Sequence, residues 1–481
     1  MNADDAPVGA ADDMMKAELP TLCDDGASAQ DRSAALSDAA YWRSLCPWLH
    51  VGDAEVRKRL CDSVLAPSAD LVDECRDRMV ADGYWQIMHD AQDLETSRRH
   101  LEWKIDVAGI ARGVARLVAK GWPPNFIMMY DEPWLLVHQL KHIVLMATGN
   151  RLSYDFSIFH VVSGAAGWPP HRDRGGDSTG AFRADGLPQY CTTWVALSDA
   201  TCTNSCLHVV PREHDPGYLQ GDPPGSTPMG EVLRHGGEAA VQHLRALPCA
   251  AGSVIQFSHR LLHWGSAAQS GPAALWRASP EAPRIALSFA STDPVFEKPF
   301  LAQPTPMPAV STRAALIASL GLLYAQASPP SAFVRTLFWD VVSTSQDVFE
   351  AEYYSMIARN VGAEDAAASQ ASGLSQGYGS DASHAAAAAA GPCPACPTSA
   401  VHSVAAVDMG QLQGRSLHGG AGAAPDGTYL MFTGPKLEAK LDHLRRLHAD
   451  GALSDAQYAK AQQDVRTSRL MDPGFAPLAR A

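Results

Sequence analysis

The sequence predicts a mainly β protein with flanking helices (α+β): a double-stranded β-helix of the jelly-roll or cupin-like kind, followed by a small C-terminal helical hairpin. Three observations carry that expectation. Short runs rich in β-branched and aromatic residues recur at 190–197, 206–211, 253–258 and 283–292, each broken off by Gly, Pro, Asp or Asn. Helical patterns gather before and after this strand-rich stretch, a common way of bracing one sheet of such a fold. Within it, His171 and Asp173 stand two apart, so an extended backbone puts both on one face, and a double-sheet jelly roll can bring them near the distant His263.

In chain order, residues 1–35 are polar, acidic and Ala-rich, and are expected to be loose. Ser68 reads as the N-cap of a helix reaching about Asp82, with Leu71, Val72, Cys75 and Met79 on one face and Gly83 as the stop. Residues 84–89 read as a strand. A second helix is expected over 97–120, with Val107, Ile110, Val114, Leu117 and Val118 as its apolar stripe, ended by Gly121-Trp-Pro-Pro. Asp131 and Pro133 open a third helix that stops before Gly149. Residues 153–292 carry most of the strand signals. The Gly-, Ala-, Ser- and Pro-rich insertions 174–187 and 267–282 interrupt them, either as lids at a site mouth or as neutral surface additions. Helix returns at 314–325 and 333–357, with Phe338, Trp339, Val342, Phe349 and Tyr353 on wide apolar faces.

The expected division is a disordered segment 1–35, a main domain 36–360, a low-complexity linker 361–432 and a helical hairpin 433–472. Cys393-Pro-Ala-Cys396 in the linker is half of a zinc pattern, without a second pair nearby. In the hairpin, Leu437, Leu441, Leu444 and Leu447 form a stripe and Asp450-Gly451 breaks it. Ser454 and Gln457 then make a capping box, and Tyr458 and Val465 continue an apolar face.

The chain is 46% hydrophobic over 481 residues, enough for a sizeable core, and its net charge of −14 argues against nucleic-acid or anionic-membrane partners. The ten cysteines, at 23, 46, 61, 75, 191, 202, 206, 249, 393 and 396, show no regular framework, and the acidic N-terminus lacks a signal or transit pattern. Reduced thiols in the cytoplasm are therefore expected. No run of about 18 apolar residues marks a membrane span.

Chemistry concentrates in Trp168-Pro-Pro-His171-Arg-Asp173 and Ser258-His-Arg-Leu-Leu-His263-Trp-Gly-Ser266. Two His and one carboxylate leave open octahedral positions and characteristically hold non-haem Fe(II). His259 competes with His263 for the third place; His208 and His214 read as structural residues.

Residues 36–300 resemble the phytanoyl-CoA dioxygenase family of Fe(II)- and 2-oxoglutarate-dependent oxygenases. The resemblance rests on those two motifs, on Thr193-Trp194-Val-Ala-Leu-Ser-Asp-Ala-Thr201, on Asn204-Ser-Cys-Leu-His-Val-Val-Pro-Arg-Glu-His214, on Gly252-Ser-Val-Ile-Gln-Phe257 and on Pro283-Arg284-Ile-Ala-Leu-Ser-Phe289. It implies that His171, Asp173 and His263 hold iron and act in catalysis. It also implies that Arg284 pairs with the distal carboxylate of 2-oxoglutarate, a task suited to a planar, permanently charged fork. Trp194 and Ser266 match positions near the cosubstrate, where Trp194 could equally be a core residue. Arg277 is the rival arginine. The implied activity is hydroxylation of a C–H bond in a small-molecule substrate by dioxygen, with 2-oxoglutarate converted to succinate and ascorbate admitted as a reductant. The presence of Asp173 speaks against the halogenating variant of this chemistry.

The departures are Ser205 in place of the glycine of an Asn-Gly-x-Leu turn, Arg212 and Glu213 in a Pro-Gly-Ser/Thr-His turn, Trp264 displacing Ser266 by one position, and Arg284 lying 21 residues after His263. The C-terminal hairpin resembles the SHOCT domain, which implies self-association or protein docking through 433–472. The alternative to an oxygenase is a catalytically inactive jelly-roll binding protein that recruits partners through that hairpin; a cupin-like isomerase with another metal is a third reading.

Overall fold

The computed structural model describes residues 26–362 except 63, 90–102, 175–179, 269–282 and 326–329, together with positions 14, 15, 19, 445, 448, 449, 458 and 459. The chain divides into two units, Met1–Ala389 and Ala390–Ala481. In the second, the His448 and Tyr458 rings stack at 4.4 Å. The linker beyond residue 362, the Cys393/Cys396 pair and the rest of the expected hairpin lie outside the described residues, as do 175–179 and 269–282 of the two insertions.

A helical layer comes first: α1 (Ala29–Leu36), α2 (Ala39–Leu45), α3 (Ala54–Asp62), α4 (Ala69–Ala81), α5 (Val107–Ala119) and α6 (Asp131–Thr148). Helix α1 lies within the stretch expected to be loose, because Ser28 and Asp31 form a complete capping box. Ser68 caps α4 as its sequence suggests, and Gly83 leaves that helix at φ +85°. Of the helix expected over 97–120, residues 97–102 lie outside the described residues and 103–106 are not helical; α5 starts at Val107 because the Asp106 carboxylate accepts from the Gly109 N–H and fixes the first turn there. Helix α6 ends on Gly149 in the left-handed region, at φ +75°.

The strands are β1 (Tyr84–Ile87), β2 (Arg151–Val161), β3 (Trp168–His171), β4 (Tyr190–Ala196), β5 (Leu207–Val210), β6 (Arg245–Leu247), β7 (Val254–Ser258), β8 (Leu262–Gly265) and β9 (Arg284–Thr292). They make two antiparallel sheets, ordered β1-β7-β4-β9-β2 and β3-β8-β5-β6. Helix α7 (Pro228–Gly236) lies between β5 and β6; α8 (Val310–Leu323) and α9 (Ala332–Ser343) return to the helical layer. The pattern expected as one helix over 333–357 is broken. Helix α9 stops at Ser343, a 3-10 turn spans Gln346–Val348, and helix resumes over 351–362.

Two cores follow from strand alternation. Phe156, Ile158, Val195, Val254, Leu287 and Phe289 point from the larger sheet toward the helices and join Trp42, Trp122, Phe126 and Trp134. Trp42 stacks on Phe126 at 5.3 Å and meets Trp122 at 4.9 Å. A buried ion pair, Arg313 with Asp131 at 2.7 Å, joins α8 to α6. The opposite faces, with Trp194, Ala196, Leu207, Val209, Ile255, Phe257 and Ala286, close the space between the sheets. Each such large apolar side chain contributes about 1.5–3 kcal/mol. The candidate site opens from this second core.

Candidate metal centre

His171 and His263 are direct cross-strand partners in β3 and β8 of the smaller sheet. Their rings lie 4.3 Å apart. Each imidazole has its Nδ1 on the carbonyl two residues back: Pro169 at 2.9 Å for His171, Leu261 at 3.0 Å for His263. A carbonyl only accepts, so each Nδ1 carries a proton and Nε2 is the ring atom left to meet a metal. Both Nε2 atoms lie 3.5 Å from Asp173 Oδ1. The ligand atoms of the three residues fall within 4.8 Å of one another. This donor set suits a divalent metal: two imidazoles that each turn Nε2 toward one carboxylate, with His263 buried and the other two half-buried.

Asp173 follows β3 and reaches the larger sheet, where the Thr192 hydroxyl of β4 donates to its Oδ2. Burial would raise its carboxyl, but His263, His171 and Thr192 outweigh that and hold it well below the usual carboxylate range. Burial, with His171 beside it, pushes His263 down to about 4, which leaves it neutral and able to bind metal at physiological pH.

Arg284 opens β9 and is 5% exposed. Its guanidinium faces the rings of Trp194 at 5.7 Å and Phe159 at 5.8 Å. Its one hydrogen bond among the described residues is from Nη2 to the Ser205 hydroxyl at 3.4 Å, and its buried Nε has no partner there. No carboxylate pairs with it among the described residues, and burial lowers its pKa to about 10. A buried cation held by one long neutral hydrogen bond is an open place for an anion. Gly265, two residues past His263 on the same strand face, keeps that place clear. A Cβ there would lie 2.9 Å from the Ser205 Oγ and 3.8 Å from Arg284 Nη2. Ser205 holds φ +72°, the left-handed conformation that glycine usually supplies.

Of the other expected residues, Trp194 is 2% exposed and forms one wall beside Arg284. The Ser266 hydroxyl is buried without a partner among the described residues, and no hydrogen bond joins it to Arg284. Arg277 lies outside the described residues. His259 stands apart from the three-residue cluster. Its Nδ1 meets the Tyr190 carbonyl at 2.8 Å and its ring packs among Phe182, Tyr190 and Phe296. Burial pushes it down to about 4. His208 stacks on Trp264 and His214 on His243, outside the cluster. The contributions of Thr192, Ser205, Gly265 and Phe159 escape sequence reasoning, because each acts across strands. Ser205 alone carried a signal, as the non-glycine in a glycine turn.

Residues 86–274 match the sequence model of the phytanoyl-CoA dioxygenase (PhyH) family. The match takes in His171, Asp173, Trp194, His263 and Ser266; Arg284 lies ten residues past its end. No curated protein matches the chain. Solved structures that it resembles include the epimerase SnoN in complex with Fe3+, alpha ketoglutarate and nogalamycin RO, at 20% identity over 47% of this chain and 85% of that one, with a TM-score of 0.34. Another is EctD from S. alaskensis with 2-oxoglutarate and 5-hydroxyectoine, at 18% identity over 47% and 77%, with a TM-score of 0.30. A third is HygX from Streptomyces hygroscopicus with nickel and 2-oxoglutarate bound, at 12% identity over 47% and 87%, with a TM-score of 0.30.

Proposed function

We propose, on the premise that residues 86–274 are a phytanoyl-CoA dioxygenase family domain, that this chain is an Fe(II)- and 2-oxoglutarate-dependent dioxygenase that hydroxylates a C–H bond of a small molecule. One observation carries the reading: the His171 and His263 Nε2 atoms converge on Asp173 Oδ1, and Gly265 on the His263 strand lies beside Arg284, a buried cation with no carboxylate partner among the described residues. Bound iron supplies the redox chemistry that couples oxidative decarboxylation of 2-oxoglutarate to succinate with hydroxylation by dioxygen. The chain's residues supply the rest. His171, His263 and Asp173 would hold the metal. Thr192 holds Asp173 in its orientation from the facing sheet. Arg284, whose guanidinium faces the Trp194 and Phe159 rings, would take the distal carboxylate of 2-oxoglutarate, and Gly265 brings no side chain against it. Phe257, whose ring lies 4.4 Å from that of His263, backs the metal side with apolar surface and excludes water.

The same reading assigns residues 36–360 to the dioxygenase-like domain and 361–432 to a linker, and gives 433–472 a docking or self-association role. Among the described residues no helix is long and apolar enough to cross a membrane. The buried Cys46, Cys191, Cys206 and Cys249, which form no disulfide among the described residues, suit a reducing compartment, which supports the cytoplasm. The test is spectroscopic. Full-length protein with Fe(II) and 2-oxoglutarate under anaerobic conditions should develop a visible charge-transfer band that His171→Ala abolishes. No band at saturating iron would leave the inactive binding protein as the better account.

A further inference from the structure

Between His171 at the end of β3 and Asp173 just after it stands Arg172, facing the other way. Its side chain is 2% exposed, and all five guanidinium N–H groups are spoken for. Nε donates to Asp222 Oδ2 at 2.7 Å, and Nη1 donates to Asp215 Oδ2 and to the Arg260 carbonyl, each at 2.5 Å. Nη2 donates to Asp215 Oδ1 at 2.8 Å and to Asp222 Oδ1 at 2.9 Å. Asp215 also accepts from the Gly217 N–H at 3.0 Å, and a Cβ at Gly217 would collide with Nη2 and with Asp222 Oδ1. The Arg260 carbonyl belongs to the turn that leads into His263. One cation thus ties the 171–173 segment to the turn before the third ligand, and locks both to the 215–222 loop.

We propose that Arg172 is a positioning residue of the metal centre: it holds the two ligand-bearing segments in register, so that two imidazoles and a carboxylate converge before metal arrives. The proposal rests on the metal-centre reading above. A buried cluster of one cation and two carboxylates is a poor way to gain stability, since desolvation offsets most of the attraction. Its value is directional, because five donors in one plane fix five acceptors. Lysine, with three donors on a flexible stem, cannot reproduce that.

The test compares Arg172→Lys with Arg313→Lys, which disturbs the buried Arg313–Asp131 pair of the helical layer. Full-length proteins are titrated anaerobically with Fe(II) and, separately, with Co(II), whose visible spectrum reports ligand geometry; circular dichroism and thermal melting record the fold. Arg172→Lys should raise the Fe(II) Kd about 10–100-fold and change the Co(II) spectrum. Arg313→Lys should lower Tm but leave both metal readouts as in the wild type. Should Arg172→Lys fail to fold, the triple variant Arg172→Met, Asp215→Asn, Asp222→Asn removes the whole charge cluster and should fold while still binding iron weakly. An Fe(II) Kd within threefold of wild type with an unchanged Co(II) spectrum, or an equal loss in Arg313→Lys, overturns the proposal while the metal centre stands. Wild-type protein that binds neither metal in a His171-dependent way would remove both.

Discussion

Replacing Arg284 by Met should make the ligand-free protein more stable and the cosubstrate complex far weaker. Burial lowers the Arg284 pKa from the ordinary guanidinium value to about 10, which corresponds to about 3 kcal/mol against the charged, folded form. The group is protonated in both folded and unfolded chains at neutral pH. The penalty is therefore fully present there, and is relieved only as pH rises above about 10 toward the ordinary guanidinium value. The faces of Trp194 and Phe159 return about 1 kcal/mol through cation–π attraction. An apolar side chain of similar length escapes the penalty and keeps the packing, a net gain of about 1–2 kcal/mol. Binding moves the other way. Losing the cationic partner of a buried carboxylate costs about 2–5 kcal/mol, a weakening of roughly 30-fold to several thousand-fold at 1.4 kcal/mol per decade. Urea unfolding of the ligand-free protein and titration of the anaerobic Fe(II) protein with 2-oxoglutarate measure the two effects. Arg284→Lys, which keeps the charge but not the fork, should fall between. A destabilised Arg284→Met protein, or one that binds 2-oxoglutarate within threefold of wild type, would refute the reasoning.

Gly265→Ala should weaken 2-oxoglutarate binding about tenfold with little effect on iron affinity, because its Cβ meets the Ser205 hydroxyl at 2.9 Å and narrows the approach to Arg284; parallel titrations with metal and cosubstrate check this. Acid should destabilise the metal-free fold between pH 6.5 and 4. His259 and His263 are each pushed down to about 4, chiefly by burial, so the unfolded chain binds more protons across that window. Their stabilisation is present above about pH 6.5 and is lost as pH falls toward 4, with His259 contributing up to about 3 kcal/mol. Urea unfolding at pH 7 and pH 4.5 should show a smaller pH effect in His259→Leu than in wild type, and equal slopes would count against the assignment.

Much of the fold was legible in residue pattern. The runs at 190–197, 206–211, 253–258 and 283–292 correspond within one or two residues to β4, β5, β7 and β9, because β-branched and aromatic residues bounded by turn formers leave few alternatives. Strand β2 was harder to delimit. Tyr154 at φ +71° and the register shift between Leu152 and Phe156 break its alternation, so period two is lost midway. Strand β8 has four residues, too few to show a period. The continuous helix expected over 333–357 failed because its apolar spacing runs on through a 3-10 turn. At the site, His171 and Asp173 could be singled out from local sequence, and Arg284 through the family resemblance. The donors and acceptors that orient them could not. Thr192 reaches Asp173 across the two sheets, Ser205 reaches Arg284 from a separate loop, and the Asp215 and Asp222 partners of Arg172 lie 43 and 50 residues away.

The central claim concerns how ferrous iron is held, and equilibrium dialysis of the full-length protein against Fe(II) under anaerobic conditions addresses it most directly. The account predicts one tightly held iron per wild-type chain, lost alike from Asp173→Ala and His263→Ala and retained by His259→Leu. Equal iron in all four proteins, or loss from His259→Leu alone, would contradict it.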